Sequence, residues 1–166
     1  DLKGADALFI SCSNHIGETY DEIAQNIHEN EIWNPIIVLS RKEKIILEAS
    51  SKKLYKNSNK MTLMVGDVEI DFFNEDGGHI SILYSDSAQI DESNNNLYAN
   101  GNVFIVSDSG HTLRTNQLLW DNRYEMIVAE DSVMFTHIEG DTLYGIGFES
   151  DIDLERFKIF RPFGIP

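Results

Sequence analysis

Five histidines, one cysteine and 28 carboxylates are the groups in this sequence that could ligate a metal, attack an electrophile or move a proton. His79, His111 and His137 fall beside successive turn signals, which could align them along one side of a stack. No HxH, HExxH or Cys/His spacing joins them, and they read as solvated turn residues. Asp121, Glu130, Asp131, Glu139, Asp141, Glu149, Asp151 and Asp153 could supply the two carboxyls that a glycosidase holds about 5–10 Å apart, one of them in an apolar pocket that raises its pKa. Nothing in their flanking residues sets one carboxyl apart from the next. There is no GxSxG elbow, and Gly145-Ile146-Gly147 lies in a strand pattern with no helix after it, so it is not a phosphate-binding loop. The expectation is a protein that is not an enzyme and takes no cofactor and no metal, with a carbohydrate-active enzyme as the lesser alternative.

The elements that would position any side chain form a repeat. The stretch from Ser87 to Ser150 holds two copies of one pattern, in which an Asp (Asp91, Asp121) precedes a valine (Val103, Val133) by twelve residues and a glycine (Gly110, Gly140) follows that valine by seven. Leu97, Ala99, Gly101, Val103 and Ile105 share one parity while Asn100 and Asn102 are polar, as a half-buried strand requires. Ile127, Ala129, Val133 and Phe135 repeat that face. A looser copy upstream carries Met64, Gly66, Val68, Ile70 and Phe72, so that Val68, Val103 and Val133 stand 35 and 30 residues apart. Each unit is long enough for two strands and a turn, whereas a coil of a parallel β-helix takes about 20–25 residues.

The β-prone runs are 36–39, 44–47, 54–55, 61–73, 80–84, 88–90, 97–106, 112–120, 125–136, 142–148 and 157–160. Gly-, Asn-, Asp- and Ser-rich turns punctuate them at Asn74 to Gly78, Ser93 to Asn96, Ser107 to Gly110 and Glu139 to Asp141. This texture predicts an all-β fold, an antiparallel β-jelly-roll or twisted open β-sandwich built from repeated hairpins. Leu113 does not share the parity of Leu118 and Trp120, which requires a bulge near Thr115.

The 166 residues suffice for one domain with a sizeable core. Thirteen Lys plus Arg against 28 Asp plus Glu give a net charge of −15, which opposes attraction to nucleic acid or to an anionic bilayer. No run of eighteen apolar residues is present, so no helical membrane span is predicted. Residues 1–32 differ in texture and read as a leader, with Ile16, Tyr20, Ile23 and Ile27 at helical spacing and a capping box at Thr19 to Glu22 predicting a short helix over 20–28. The patterned domain is then 33–166. Within the leader, ALFISCS resembles the tail of a bacterial lipoprotein signal, in which Cys12 would be acylated; the other reading is a free thiol in a loose leader.

Residues from about Trp33 to Phe160 resemble the periplasmic lipopolysaccharide-transport family of LptC type, related to OstA-like jelly-rolls. The resemblance is carried by LYANGNVFIVSDSGHTLRTNQLLWD, where a GNV strand is followed by a turn, a leucine-threonine pair and an aromatic-Asp end. A second carrier is GDTLYGIGFESDIDLERFKI, a glycine-flanked closing strand. The resemblance implies a non-enzymatic conduit of the Gram-negative envelope, tethered to the inner membrane by an N-terminal anchor or a lipidated Cys12. It would receive lipopolysaccharide from an inner-membrane ABC transporter, hold the acyl chains in an apolar interior, and pass them to a periplasmic bridge protein of the same fold by strand addition at a sheet edge.

Mapped onto this sequence, the interior positions are Val68, Ile70, Phe72, Val103, Ile105, Leu113, Leu118, Trp120, Val133 and Phe135. The docking edge is Phe148, Phe157, Ile159 and Phe160, closed by Pro162 and Pro166, and the same edges would permit self-association. On the residues alone, the inward face is either a filled core or a slit, and a structural or adhesive module with a closed core remains the alternative function. The slit reading expects Val103→Glu or Phe135→Glu to abolish lipid crosslinking.

Overall fold

The computed structural model describes residues 6–12, 31–57 and 59–164. They form one antiparallel sheet of twelve strands. In chain order these are β1 (Asp6–Cys12), β2 (Glu31–Trp33), β3 (Pro35–Arg41), β4 (Lys44–Ser50), β5 (Lys53–Lys56), β6 (Met61–Phe73), β7 (His79–Asp91), β8 (Asn96–Ser107), β9 (Thr112–Asp121), β10 (Met126–Thr136), β11 (Thr142–Asp151) and β12 (Phe157–Phe163). From β6 to β12 neighbours in sequence are neighbours in the sheet, which is the predicted row of hairpins. The two runs expected at 80–84 and 88–90 are a single strand, because Ser85 and Asp86 only bulge it. The predicted helix over 20–28 lies outside the described residues. The run ending at Cys12, read as leader, is strand β1, laid against β3 with Cys12 opposite Pro35.

The long strands bend at mid-length. Register shifts fall between Val65 and Val68 on β6, Tyr84 and Ser87 on β7, Asn100 and Val103 on β8, and Ala129 and Ser132 on β10. These bulges line up from strand to strand and crease the sheet, because an inserted residue both bends a strand and raises its twist. Gly101 shows why the crease is chemically specific. Its φ is +81°, and a Cβ there would lie 2.5 Å from an Asp86 carboxylate oxygen, which instead accepts a hydrogen bond from Asn102 Nδ2 at 2.8 Å. Backbone carbonyls freed by the bulges find side-chain donors, with Ser85 Oγ donating to Ser87 O at 2.9 Å and Thr115 Oγ1 to Ser132 O at 3.0 Å.

The crease divides the sheet into two leaves that face each other. One leaf holds the halves of β6 to β11 near residues 61–65, 87–91, 96–100, 117–121, 126–129 and 148–151; the other holds 68–73, 79–85, 103–107, 112–115, 132–136 and 142–146. Rings meet across the gap: Phe72 lies 5.7 Å from Trp120 and Phe135 lies 5.8 Å from Phe148, centroid to centroid. On the N-terminal side the first leaf ends in β5 and β2 and the second in β4, β3 and β1, with β4 turning into β5 at Ser51-Lys52 and β2 into β3 at Asn34 on the line of the crease. On the C-terminal side β12 spans both, pairing Phe157 with Ser150 and Pro162 with Gly145.

The turn between β11 and β12 carries a titration that affects stability. Leu154 holds a φ of +62° yet is fully buried, and Asp153 beside it accepts a bond from Glu155 N at 3.0 Å. Burial, and then the neighbouring Asp151 carboxyl, push Asp153 up to about 6 from 3.8. The unfolded chain gives up this proton first, so stability falls as pH rises from about 4 to 6. Asp153→Asn is expected to flatten that slope and to raise stability at pH 7 by no more than about 1 kcal/mol, since the carboxyl is largely solvated. Urea unfolding at pH 4 and pH 7 checks it.

Candidate functional site

All ten residues predicted for the interior are buried in one cluster, none more than 3% exposed. Their closeness decides what the interior is: at rest the leaves are sealed by their own side chains, and the centre of the fold is a packed core. Open space lies at the rim instead, where a cavity of about 480 Å³ sits between the β3–β4 hairpin, the start of the β6–β7 turn and the far ends of β9 and β11. Ile45, Ile46, Phe73, Ile80 and Ile152 line it, and only Phe72 and Trp120 of the ten predicted residues reach it. Such an apolar pocket, with a few polar groups at its lip, is the ordinary form of a site for an apolar ligand.

The lip is polar and asymmetric. Arg41, Lys42 and Lys44 line it on the hairpin side, Glu125 on the opposite leaf and Glu75 on the β6–β7 turn. Arg41, the last residue of β3, spans the gap: Nε donates to Asp6 Oδ1 at 2.8 Å, Nη1 to Glu125 Oε1 at 2.6 Å, and Nη2 to Asn122 Oδ1 at 2.7 Å and to Asn122 O at 3.0 Å. Asn122 Nδ2 donates to the other Asp6 oxygen and to Asn94 O. Burial raises the cost of ionising Asp6, and the bonds from Arg41 and Asn122 outweigh it, so its pKa lies below the ordinary carboxylate value.

Of the three turn histidines only His111 departs from a solvated position; His79 is exposed beside the β6–β7 turn and His137 is half-buried. His111 is buried, stacked on Phe135 at 5.9 Å and 4.6 Å from the ring of His137, with its Nδ1 accepting from Ile138 N at 3.2 Å. His79 bridges β6 to the β8–β9 turn, meeting Asp108 through Nδ1 at 2.8 Å and Asp71 through Nε2 at 2.7 Å. Among the described residues no group of three His, Cys, Asp or Glu side chains is placed to hold a metal ion. The bond to Asp108 is the largest influence on His79; burial opposes it, Asp71 reinforces it, and the pKa is raised above 6.5. The stabilisation is therefore complete below the unfolded value of 6.5 and is lost as pH rises through the folded one. His79→Gln is expected to cost about 0.5 kcal/mol at pH 6 and little at pH 9, read from chemical denaturation at the two pH values.

The predicted docking edge is corrected in part. Phe148 is fully buried on β11 and belongs to the core. Phe157, Ile159 and Phe160 do lie on the outermost strand, β12; Phe157 is tilted against Phe135 at 4.2 Å with its outer side exposed, and Phe160 is exposed beneath Lys158. Pro162 does not close the edge, because β12 continues through it to Phe163. Cys12 ends β1, the outer strand at the other end of the sheet path. The cavity residues Ile45, Ile46, Phe73 and Ile80 and the Arg41 cluster escaped the sequence reading. One signal existed: Ile45-Ile46-Leu47 is apolar on both parities, which a strand with one wet face does not need.

No helix among the described residues is long and apolar enough to cross a membrane. No curated protein matches the sequence. Among solved structures, the chain is similar to LptH, the LptA-homologous periplasmic component of the lipopolysaccharide transport device of Pseudomonas aeruginosa, at 10% identity, covering 73% of this chain and 80% of that one with a TM-score of 0.46. At that level the likeness carries no argument about function. The family model described as lipopolysaccharide-assembly, LptC-related, matches residues 44–161, the run from the start of β4 to within β12 that builds most of both leaves and most of the cavity lining between them. The chain belongs to the LptC-related lipopolysaccharide-assembly family.

Proposed function

We propose that this protein is a non-enzymatic component of lipopolysaccharide transport in the periplasm, which carries the acyl chains of the lipid between its two leaves. The observation that carries the reading is the family match over residues 44–161. The apolar cavity opening onto the Phe72–Trp120 contact supports it, since each acyl methylene moved from water into such a site gains about 0.8 kcal/mol. In this reading the lipid arrives from an inner-membrane ABC transporter and leaves to a periplasmic bridge protein of the same fold, with the chain held near the inner membrane by an anchor or by acylation of Cys12. The outward backbone groups of β12 are suited to the hand-off by strand addition, with Phe157, Ile159 and Phe160 alongside. The high negative charge is compatible with recognition through acyl chains rather than through phosphate.

A second reading, a structural module with a filled core, is favoured by the near-zero exposure of the ten interior residues. Native mass spectrometry of the protein purified from a Gram-negative envelope separates the two. The transport reading expects a lipopolysaccharide molecule bound to a fraction of the chains, displaced by excess free lipid. A bare polypeptide mass at every detergent concentration tried, with no gain on adding rough lipopolysaccharide, supports the structural module.

A further inference from the structure

A sealed core and an acyl-carrying interior are compatible only if the leaves part, so the fold needs a place where they can. The crease cannot open, because ladder hydrogen bonds run through it on both sides. The C-terminal side cannot open easily, because β12 pairs with both halves of β11. The N-terminal side is closed at the crease in the same way, because β4 leads into β5 through Ser51-Lys52 and β2 into β3 through Asn34, with Asn34 N donating to Lys52 O and Lys52 N to Gly66 O. The strand tips away from the crease differ: there no backbone hydrogen bond joins the β3–β4 hairpin to the β9–β10 turn among the described residues. Between those tips lies the cavity, and its lip is crossed by one set of side chains. Arg41 on β3 joins Asn122 and Glu125 on the β9–β10 turn, and Asp6 on β1 joins Asn122. Among the described residues no other polar side-chain contact links the β3–β4 hairpin to the turns of the facing leaf.

We propose that the Asp6–Arg41–Asn122–Glu125 cluster is a latch, and that an acyl chain of a glycolipid is admitted sideways between the leaves, over Ile46, Phe72 and Trp120, when it opens. This rests on the lipid-carrying reading above. The latch is suited to reversible opening. Arg41 and Glu125 are part exposed, so water can replace each bond as it breaks, whereas the walls beneath offer an incoming chain only apolar contact. The acyl chain is the occupant that the walls select: a linear apolar group can slide between two sheets held apart at one rim, and a folded protein segment cannot.

The test uses the two tryptophans. In a Cys12→Ser, Trp33→Phe chain, Trp120 is the only one left, at the foot of the cavity. A dibrominated fatty acid quenches it on contact, and stopped-flow fluorescence gives the rate. Arg41→Met, which keeps an unbranched stem and removes the guanidinium bonds, is expected to quench about tenfold faster, equivalent to about 1.4 kcal/mol. Glu125→Gln is expected to give a smaller increase and serves if Arg41→Met fails to fold. An Arg41→Cys, Asn122→Cys pair tied by a short bis-maleimide is expected to resist quenching, and the untied pair to match Arg41→Met. Equal rates in tied and untied protein overturn the latch while leaving lipid binding intact. Absence of quenching in every folded variant overturns the lipid-carrying reading itself, and the latch with it.

Discussion

Phe135→Ala is expected to lower the stability of the fold by about 3–5 kcal/mol, the range for truncating a fully buried aromatic ring. Phe135 is 0% exposed and sits at the centre of the largest ring assembly among the described residues, with Phe157 at 4.2 Å, Phe148 at 5.8 Å and His111 at 5.9 Å. These partners come from both leaves and from β12, so a cavity at 135 loosens three contacts at once and the surroundings cannot collapse onto it from one side. Urea denaturation followed by tryptophan fluorescence measures the loss, and a cost below about 1 kcal/mol would mean that the leaves are not packed at this point. The closed core also changes what a charge here reports. Val103→Glu and Phe135→Glu bury a carboxylate without a partner, so the expected result is an unfolded chain and not a folded one that has lost its lipid.

Gly145→Ala is expected to displace β12 from the sheet. A Cβ at 145 would stand 2.2 Å from Ile159 Cγ2, 3.0 Å from Arg161 O and 3.2 Å from Pro162 Cα. The first contact could move with a rotamer of Ile159, but the other two are backbone of the paired strand, which has to shift as a whole. Phe157 would be pulled from Phe135 and Phe148, and the protein would expose the edge of β11 in place of that of β12. The expected readout is fast amide exchange over residues 157–163 with protection of β6 to β8 unchanged, together with loss of edge-mediated association. Gly164→Ala, where nothing lies within 4 Å of the added Cβ and the backbone is not left-handed, is the comparison for the general effect of replacing a glycine.

The fold was legible where inserted residues came in pairs. On β6, β8 and β10 the crease adds two residues, Gly66-Asp67, Gly101-Asn102 and Glu130-Asp131, which leaves side-chain parity intact. The valines at 68, 103 and 133 therefore keep step with the apolar residues before them. On β9 the buried positions change from Leu113 and Thr115 to Leu118 and Trp120, and on β7 from Ser81 and Leu83 to Ala88 and Ile90. The sequence flagged the β9 mismatch as a bulge but carried no sign that all the bulges align into one crease, because alignment depends on register between strands. The ten interior residues could be listed for the same reason that they cannot report function by themselves: alternation marks what is buried and is silent on whether the burial is against protein or lipid. The cavity and the Arg41 cluster were not legible, since Arg41 and Asp6 lie 81 and 116 residues from Asn122 and meet it only when the sheet is folded on itself.

The transport account is tested most directly by a photo-crosslinking residue placed at Phe73, on the cavity wall, and at Tyr98, on the outer face, in growing Gram-negative cells. The account predicts lipopolysaccharide attached to the protein from position 73 and none from position 98. Capture at neither position, or equal capture at both, would contradict it.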